Sequence, residues 1–100
     1  MAKDRLDYFN NEDLNLTLLM EECAEVIHIC SKIKRFGWND WNPESKEISN
    51  RLRLEQELGD VAAMLEILTH YSKLSESNMM DARDAKLKKL KKYYMRLEDE

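Results

Sequence analysis

Apolar residues recur at steps of three and four along two long segments, which predicts two amphipathic helices. At about 100° per residue, the segment from 16 to 35 gathers its apolar residues on one broad arc: Leu16, Leu19, Cys23, Val26, Ile27, Cys30 and Ile33. The segment from 48 to 72 does the same with Leu54, Leu58, Val61, Met64, Leu65, Ile67, Leu68 and Tyr71. A narrower stripe follows, made of Met80, Leu87, Leu90, Tyr94 and Leu97. We therefore expect an all-α fold.

Local signals predict where the first helix begins and ends. Asn11 is a suitable N-cap, followed by Glu12 and Asp13 in the turn where acids are favoured. Phe36-Gly37 predicts the end of this helix, because glycine commonly terminates helices. Short loops between helices then favour an antiparallel bundle of three to four helices.

The later boundaries leave more than one choice. Asn42 could cap the next helix with Pro43 in its first turn, and the helix would run to about Leu74, with a possible break at Ser49-Asn50. Ser77 or Asn78 is expected to cap the last helix. The chain then divides into an N-terminal arm (1–10), an aromatic loop (36–42) and a C-terminal helix (78–98) within a single domain of residues 1–100.

Four acids occupy unexpected positions on the two main helices. Glu22 falls inside the apolar arc of the first helix and Glu25 lies at its edge, while Glu57 and Asp60 project from the apolar side of the second. Burying an uncompensated carboxylate costs several kcal/mol. Residues three apart share a helix face, so the two pairs could converge on one hard cation.

The ligand chemistry favours Mg²⁺, with Mn²⁺ or Ca²⁺ also possible, because zinc prefers histidine and cysteine. A di-iron site is disfavoured, since it needs two Glu-x-x-His motifs and Glu25 to His28 is the single match. An alternative reading is a non-catalytic helical interaction protein, in which the acids form buried salt bridges with Arg51, Arg53 or a partner's lysine.

Composition narrows the class of protein. A net charge of −4 argues against nucleic acid as a partner, and no apolar run is long enough for a membrane span. The first residues do not resemble a signal peptide, and Cys23 and Cys30 are expected to be buried free thiols, so we expect a cytoplasmic protein. The broad apolar arcs exceed what one small chain can cover, which predicts a homo-oligomer.

The acids also carry a family resemblance. Glu21-Glu22-x-x-Glu25 followed by Glu57-x-x-Asp60 resembles the EExxE…ExxD signature of the MazG-like all-α nucleoside triphosphate pyrophosphohydrolases. Two further stretches resemble the family's sequences, namely Ser31-Lys32-Ile33-Lys34-Arg35-Phe36-Gly37 and Asn50-Arg51. The resemblance covers roughly residues 14 to 72. It implies Mg²⁺-dependent hydrolysis of a (deoxy)nucleoside triphosphate to monophosphate and pyrophosphate, in a dimer or tetramer whose sites are lined by more than one subunit.

The resemblance also implies residue roles. Glu22, Glu25, Glu57 and Asp60 would hold Mg²⁺, and Glu21, Glu22 or Glu25 would orient or deprotonate the attacking water. From their position downstream of the acids on the same helix, Lys32 and Arg35 could contact the triphosphate or remain solvated. Apart from the resemblance, Trp38 and Trp41 could stack the base or make an oligomer or packing contact. The expected role is nucleotide-pool sanitising, and dUTP- or dCTP-directed and phosphoribosyl-ATP-directed enzymes use the same scaffold.

Overall fold

The structure, a computed structural model, describes residues 9–40 and 48–94. It contains three α-helices, α1 (Glu12–Phe36), α2 (Asn50–Tyr71) and α3 (Glu76–Tyr94), with a short 3₁₀ turn at 9–10 before α1. The described residues include no strand, so the predicted all-α fold is confirmed.

The predicted boundaries of α1 are confirmed by its caps. Asn11 has an extended backbone, and its Oδ1 accepts a hydrogen bond from the Leu14 amide at 3.0 Å. At the other end the Gly37 amide donates to the Ile33 carbonyl at 2.7 Å. Gly37 has φ 98°, a conformation that is strained for residues with a Cβ atom, and this explains why the helix stops at a glycine.

Helix α2 is shorter than predicted. It starts at Asn50, at the break that the sequence offered at Ser49-Asn50, and the Ser49 Oγ accepts from the Leu52 amide at 3.1 Å. It ends at Tyr71 rather than about Leu74. The reason is Lys73, whose φ of 56° is left-handed and cannot continue a right-handed helix. The predicted cap at Asn42 and Pro43 lies outside the described residues.

Helix α3 begins earlier than predicted. Ser75 Oγ accepts from the Asn78 amide at 3.1 Å, so Ser75 is the cap and the predictions of Ser77 or Asn78 are wrong. In the usual N-cap arrangement, a serine hydroxyl accepts a hydrogen bond from the backbone amide three residues later. Residues 1–8 of the predicted arm, 41–42 of the aromatic loop and 95–98 of the last helix lie outside the described residues.

Helices α1 and α2 pack against each other in antiparallel order. Asn15 near the start of α1 donates to Ser72 Oγ just after α2, and Asn50 at the start of α2 donates to the Gly37 carbonyl just after α1. Between these ends, the buried apolar residues are Ile29, Ile33, Met64 and Leu68. The described part of α3 contains no buried residue.

The apolar arc of α1 is only partly covered by α2. Leu16 and Ile27 remain 52% and 71% exposed although both belong to this arc. Cys23 and Cys30 are free, as predicted, but both are exposed in the chain, so the prediction that they are buried is wrong. None of the described helices combines the length and apolar character needed to cross a bilayer.

Candidate metal centre

Three carboxylates meet between α1 and α2. Glu22, Glu57 and Asp60 each offer one oxygen, and these oxygens all lie within 4.8 Å of one another. We call these three residues the acid cluster. Glu22 and Glu57 are half-buried, and Asp60 is exposed. Three carboxylate oxygens this close form a set of donors that suits a hard divalent cation.

The position of the two half-buried acids follows from the spacing of buried residues along each helix. Glu22 lies seven positions from the buried Asn15, and Glu57 lies seven positions from the buried Asn50. Seven residues make nearly two complete turns, so each acid shares the inward stripe of its helix. The helix pair therefore directs both carboxylates toward the interface.

The acid cluster has an unfavourable electrostatic environment in the absence of a cation. Partial burial, followed by the negative charges of Asp60, Glu57, Glu25 and Glu21, raises the pKa of Glu22 above its usual range. Both causes disfavour the charged carboxylate. A bound cation would reverse this effect by favouring the ionised form.

Among the described residues, no basic side chain forms an ion pair with the acid cluster. Within residues 9–40 and 48–94, no Lys, Arg or His nitrogen lies within 4.0 Å of these carboxylates, and the recorded ion pair joins Arg83 to Asp84. Arg51, a candidate salt-bridge partner, instead lies 4.9 Å over the Trp38 ring. These acids thus fit a metal site better than a salt-bridge network.

Two acids of the predicted site stand outside the cluster. Glu21 and Glu25 are exposed, and neither contributes an oxygen to the group of three. Their charges are nevertheless close enough to raise the pKa of Glu22. Glu25 as a metal ligand and Glu21 as a base therefore stay predictions. His28 and His70 also lie outside the group, so the described residues offer no di-iron ligand set.

The predicted substrate-binding residues lie along and just beyond the second half of α1. Lys32 is half-buried, whereas Arg35 is exposed with its guanidinium 5.1 Å from the Phe36 ring centre. Trp38 is 47% exposed, and its carbonyl accepts from the Arg51 amide at 2.8 Å. Trp38 is therefore attached to the start of α2 and still offers ring surface to solvent.

Sequence reasoning missed Asn15 and Asn50, the two polar residues that are fully buried among those described. The signal was present in their spacing, because each lies seven positions before an acid that had been singled out. Asparagine is common at caps and on surfaces, and this makes a buried one difficult to recognise from pattern alone.

The family model of the MazG nucleotide pyrophosphohydrolase domain matches residues 10–99. The chain belongs to the MazG family. This match extends beyond the acid signature and takes in all three helices of the structure. Neither the comparison with curated proteins nor that with solved structures returned a match. Membership of the MazG family supports nucleotide pyrophosphohydrolase activity in general, in a family that generally depends on divalent metal ions.

Proposed function

We propose that this chain is a Mg²⁺-dependent enzyme that hydrolyses (deoxy)nucleoside triphosphates between the α and β phosphates, giving a monophosphate and pyrophosphate. The observation that carries the proposal is the acid cluster, with three carboxylate oxygens within 4.8 Å and no described basic partner, in a chain of the MazG family. Its role would be to sanitise the nucleotide pool of the cytoplasm.

The acid cluster would hold the metal ion, with Glu25 as a further ligand. When bound, Mg²⁺ supplies positive charge to the phosphate oxygens and lowers the cost of charge developing on the leaving pyrophosphate. The carboxylates of Glu22 and Glu57 are half-buried, which strengthens their interaction with a cation relative to fully solvated groups. Mn²⁺ accepts similar oxygen ligands and should substitute.

The hydrolysis also needs a group that takes a proton from the attacking water. Water supplies the oxygen of the new P–O bond, the α–β anhydride bond breaks, and a carboxylate accepts the proton. Glu21, Glu22 and Glu25 are the candidates, and the exposed Glu21 and Glu25 lie outside the group of three close oxygens. In Glu21→Gln, a base role predicts a lower kcat with unchanged Mn²⁺ affinity, whereas a ligand role predicts weaker Mn²⁺ binding.

The substrate would extend from the acid cluster along α1 toward the loop after it. Lys32 lies seven positions beyond Glu25 on nearly the same side of the helix, where a cationic side chain could contact the triphosphate. Arg35 follows within one further turn. Trp38 would stack the base with its exposed ring surface, while Arg51 occupies part of the ring.

A second copy of the chain would complete the fold. The described part of α3 buries no residue, and large apolar side chains remain exposed on all three helices. Exposed apolar surface of this extent marks an interaction site in most proteins. We therefore propose a homodimer or homotetramer whose sites are lined by more than one subunit.

A panel of eight ribo- and deoxyribonucleoside triphosphates tests the proposed function, with Mg²⁺ and with EDTA. The products are separated, so that monophosphate with pyrophosphate is distinguished from diphosphate with phosphate. Metal-dependent release of pyrophosphate from one or a few nucleotides is expected. Release of phosphate and diphosphate instead, or no release from any nucleotide by a folded protein, would contradict the proposal.

A further inference from the structure

We propose that Asn15 and Asn50 are positioning residues, which set the register of α1 against α2 and so bring Glu22 to Glu57 and Asp60. The consequence for metal binding rests on the proposed function. The consequence for helix register does not, and the two can be measured separately.

The two asparagines connect opposite ends of the helix pair. Asn15 Nδ2 donates to the Phe9 carbonyl at 2.7 Å and to Ser72 Oγ at 3.2 Å. Asn50 Nδ2 donates to the Gly37 carbonyl at 3.0 Å. The bonds to Ser72 and Gly37 each link one helix to the chain segment at the end of the other, so the pair is held at both ends.

Stability alone does not account for buried asparagines at these positions. Both side chains have zero exposure, and the Oδ1 atom of each is buried without a hydrogen-bond partner among the described residues. An unsatisfied buried polar atom costs about 1–3 kcal/mol. A buried polar group can specify how two helices align, as a buried asparagine does when it specifies the register of a coiled coil.

The apolar core between the two ends lacks this directionality. Ile29, Ile33, Met64 and Leu68 are buried through apolar contacts, which are non-directional. A shift of one turn displaces the helices by about 5.4 Å. That displacement exceeds the 4.8 Å within which the oxygens of the acid cluster now lie. The cluster therefore needs one fixed register, to which the asparagine side chains contribute beside the apolar core and the backbone hydrogen bonds from Asn50 and Arg51 to Asp40 and Trp38.

The spacing along the chain places each asparagine on the same helix face as one acid, where it can fix the position of that acid. The α1 stripe runs Asn15, Glu22, Ile29, and the α2 stripe runs Asn50, Glu57, Met64, each in steps of seven. A step of seven corresponds to about 10 Å of helix. Each acid thus follows an anchored asparagine at the same distance along a rigid element.

The test replaces the two asparagine side chains by leucine, which has the same branching but no hydrogen-bonding groups. Asn15→Leu, Asn50→Leu and the double variant are compared with wild type and with Asn78→Leu, a control at an exposed position of α3. Spin labels replace the exposed residues Lys34 and Glu66 in a background with both cysteines changed to serine. Labelled chains are refolded with excess unlabelled chain, so that pulsed EPR measures the distance within one chain. Mn²⁺ affinity is measured on the unlabelled proteins, and circular dichroism checks that each is folded.

The double variant is expected to fold, to gain a second distance component displaced by about one helical turn, 5.4 Å, and to bind Mn²⁺ about tenfold more weakly. The Asn78→Leu control should match wild type in both measurements. A folded double variant with the single wild-type distance and wild-type Mn²⁺ affinity would overturn the proposal.

Two further outcomes have defined meanings. If the double variant does not fold, Asn15→Ala and Asn50→Ala are judged by the same two measurements, and unfolding of both alanine variants would overturn the positioning role in favour of a general structural one. If wild type does not bind Mn²⁺, the proposed function fails, while the distance measurement still decides whether the asparagines set the register.

Discussion

Glu22 on α1 and Glu57 on α2 place carboxylate oxygens within 4.8 Å of each other across the helix interface, with Asp60 completing the group. The two helices approach closely because apolar residues on both sides of these acids are buried. Like charges at this distance repel. The metal-free protein therefore carries a local penalty that a divalent cation would remove, and this relationship underlies the predictions below.

Addition of millimolar Mg²⁺ should raise the melting temperature of the protein. A ligand that binds only the folded state stabilises it by RT ln(1 + [L]/Kd), which is about 2.7 kcal/mol at one hundred times Kd. Thermal unfolding with Mg²⁺ and with EDTA measures the effect. NaCl of equal ionic strength is the control for simple screening of charge.

Thermal unfolding of Glu57→Gln with Mg²⁺ and with EDTA tests whether the stabilisation by Mg²⁺ depends on the acid cluster. This variant should lose most of the Mg²⁺-dependent rise in melting temperature, and Glu55→Gln, at an exposed position on the same helix, should keep it. Equal stabilisation of both variants by Mg²⁺ would locate the bound ion elsewhere.

Replacement of Glu22 by glutamine should stabilise the metal-free protein at neutral pH. The pKa of Glu22 is raised above its ordinary value of 4.5, so the folded state binds this proton more tightly than the unfolded state does. The free energy of unfolding of wild type then falls as the pH rises above 4.5 toward the raised pKa of Glu22. Glutamine does not ionise, so the variant does not show this fall. Denaturant unfolding in EDTA at several pH values measures the difference between variant and wild type.

The advantage of Glu22→Gln should disappear well below pH 4.5, where the carboxyl is protonated in both the folded and the unfolded state. With saturating Mg²⁺ the sign should reverse, because the variant loses a ligand. A variant that is equally stabilised at every pH would indicate that the carboxylate charge is not responsible.

A charge on the exposed side of α1 should weaken self-association. Ile27 is 71% exposed and lies in the apolar arc that α2 leaves uncovered. Glutamate at this position would have to be buried in an oligomer interface, which costs several kcal/mol when it is unpaired. Sedimentation analysis should show Ile27→Glu dissociating at concentrations where wild type is oligomeric, with Gln56→Glu as an exposed control on α2. A monomeric wild type would contradict the proposed oligomer directly.

The fold was predictable where the signal is local. Asn11 and Gly37 bound α1 as predicted, because each acts on amides or carbonyls within a few residues. The end of α2 was not predictable, since the left-handed conformation of Lys73 is not favoured by its residue type. The cap of α3 was misassigned among several neighbouring polar residues, of which Ser75 makes the bond.

The candidate site was predictable as far as helical periodicity reaches. Glu22, Glu57 and Asp60 were identified because acids on an apolar stripe are exceptional, and the structure brings their oxygens together. Periodicity could not tell which part of a broad apolar arc faces the neighbouring helix. For this reason the exposure of Cys23 and the burial of Asn15 were both missed.

The central claim is that the acid cluster carries out the hydrolysis, and pyrophosphate release by Glu57→Gln measured beside Glu55→Gln tests it most directly. The two variants carry the same substitution two positions apart on one helix, so only the direction of the side chain differs. With the best nucleotide of the panel and Mg²⁺, Glu57→Gln should lose on the order of a hundredfold in kcat while remaining folded, and Glu55→Gln should match wild type. Wild-type activity in Glu57→Gln, or an equal loss in both variants, would contradict the account.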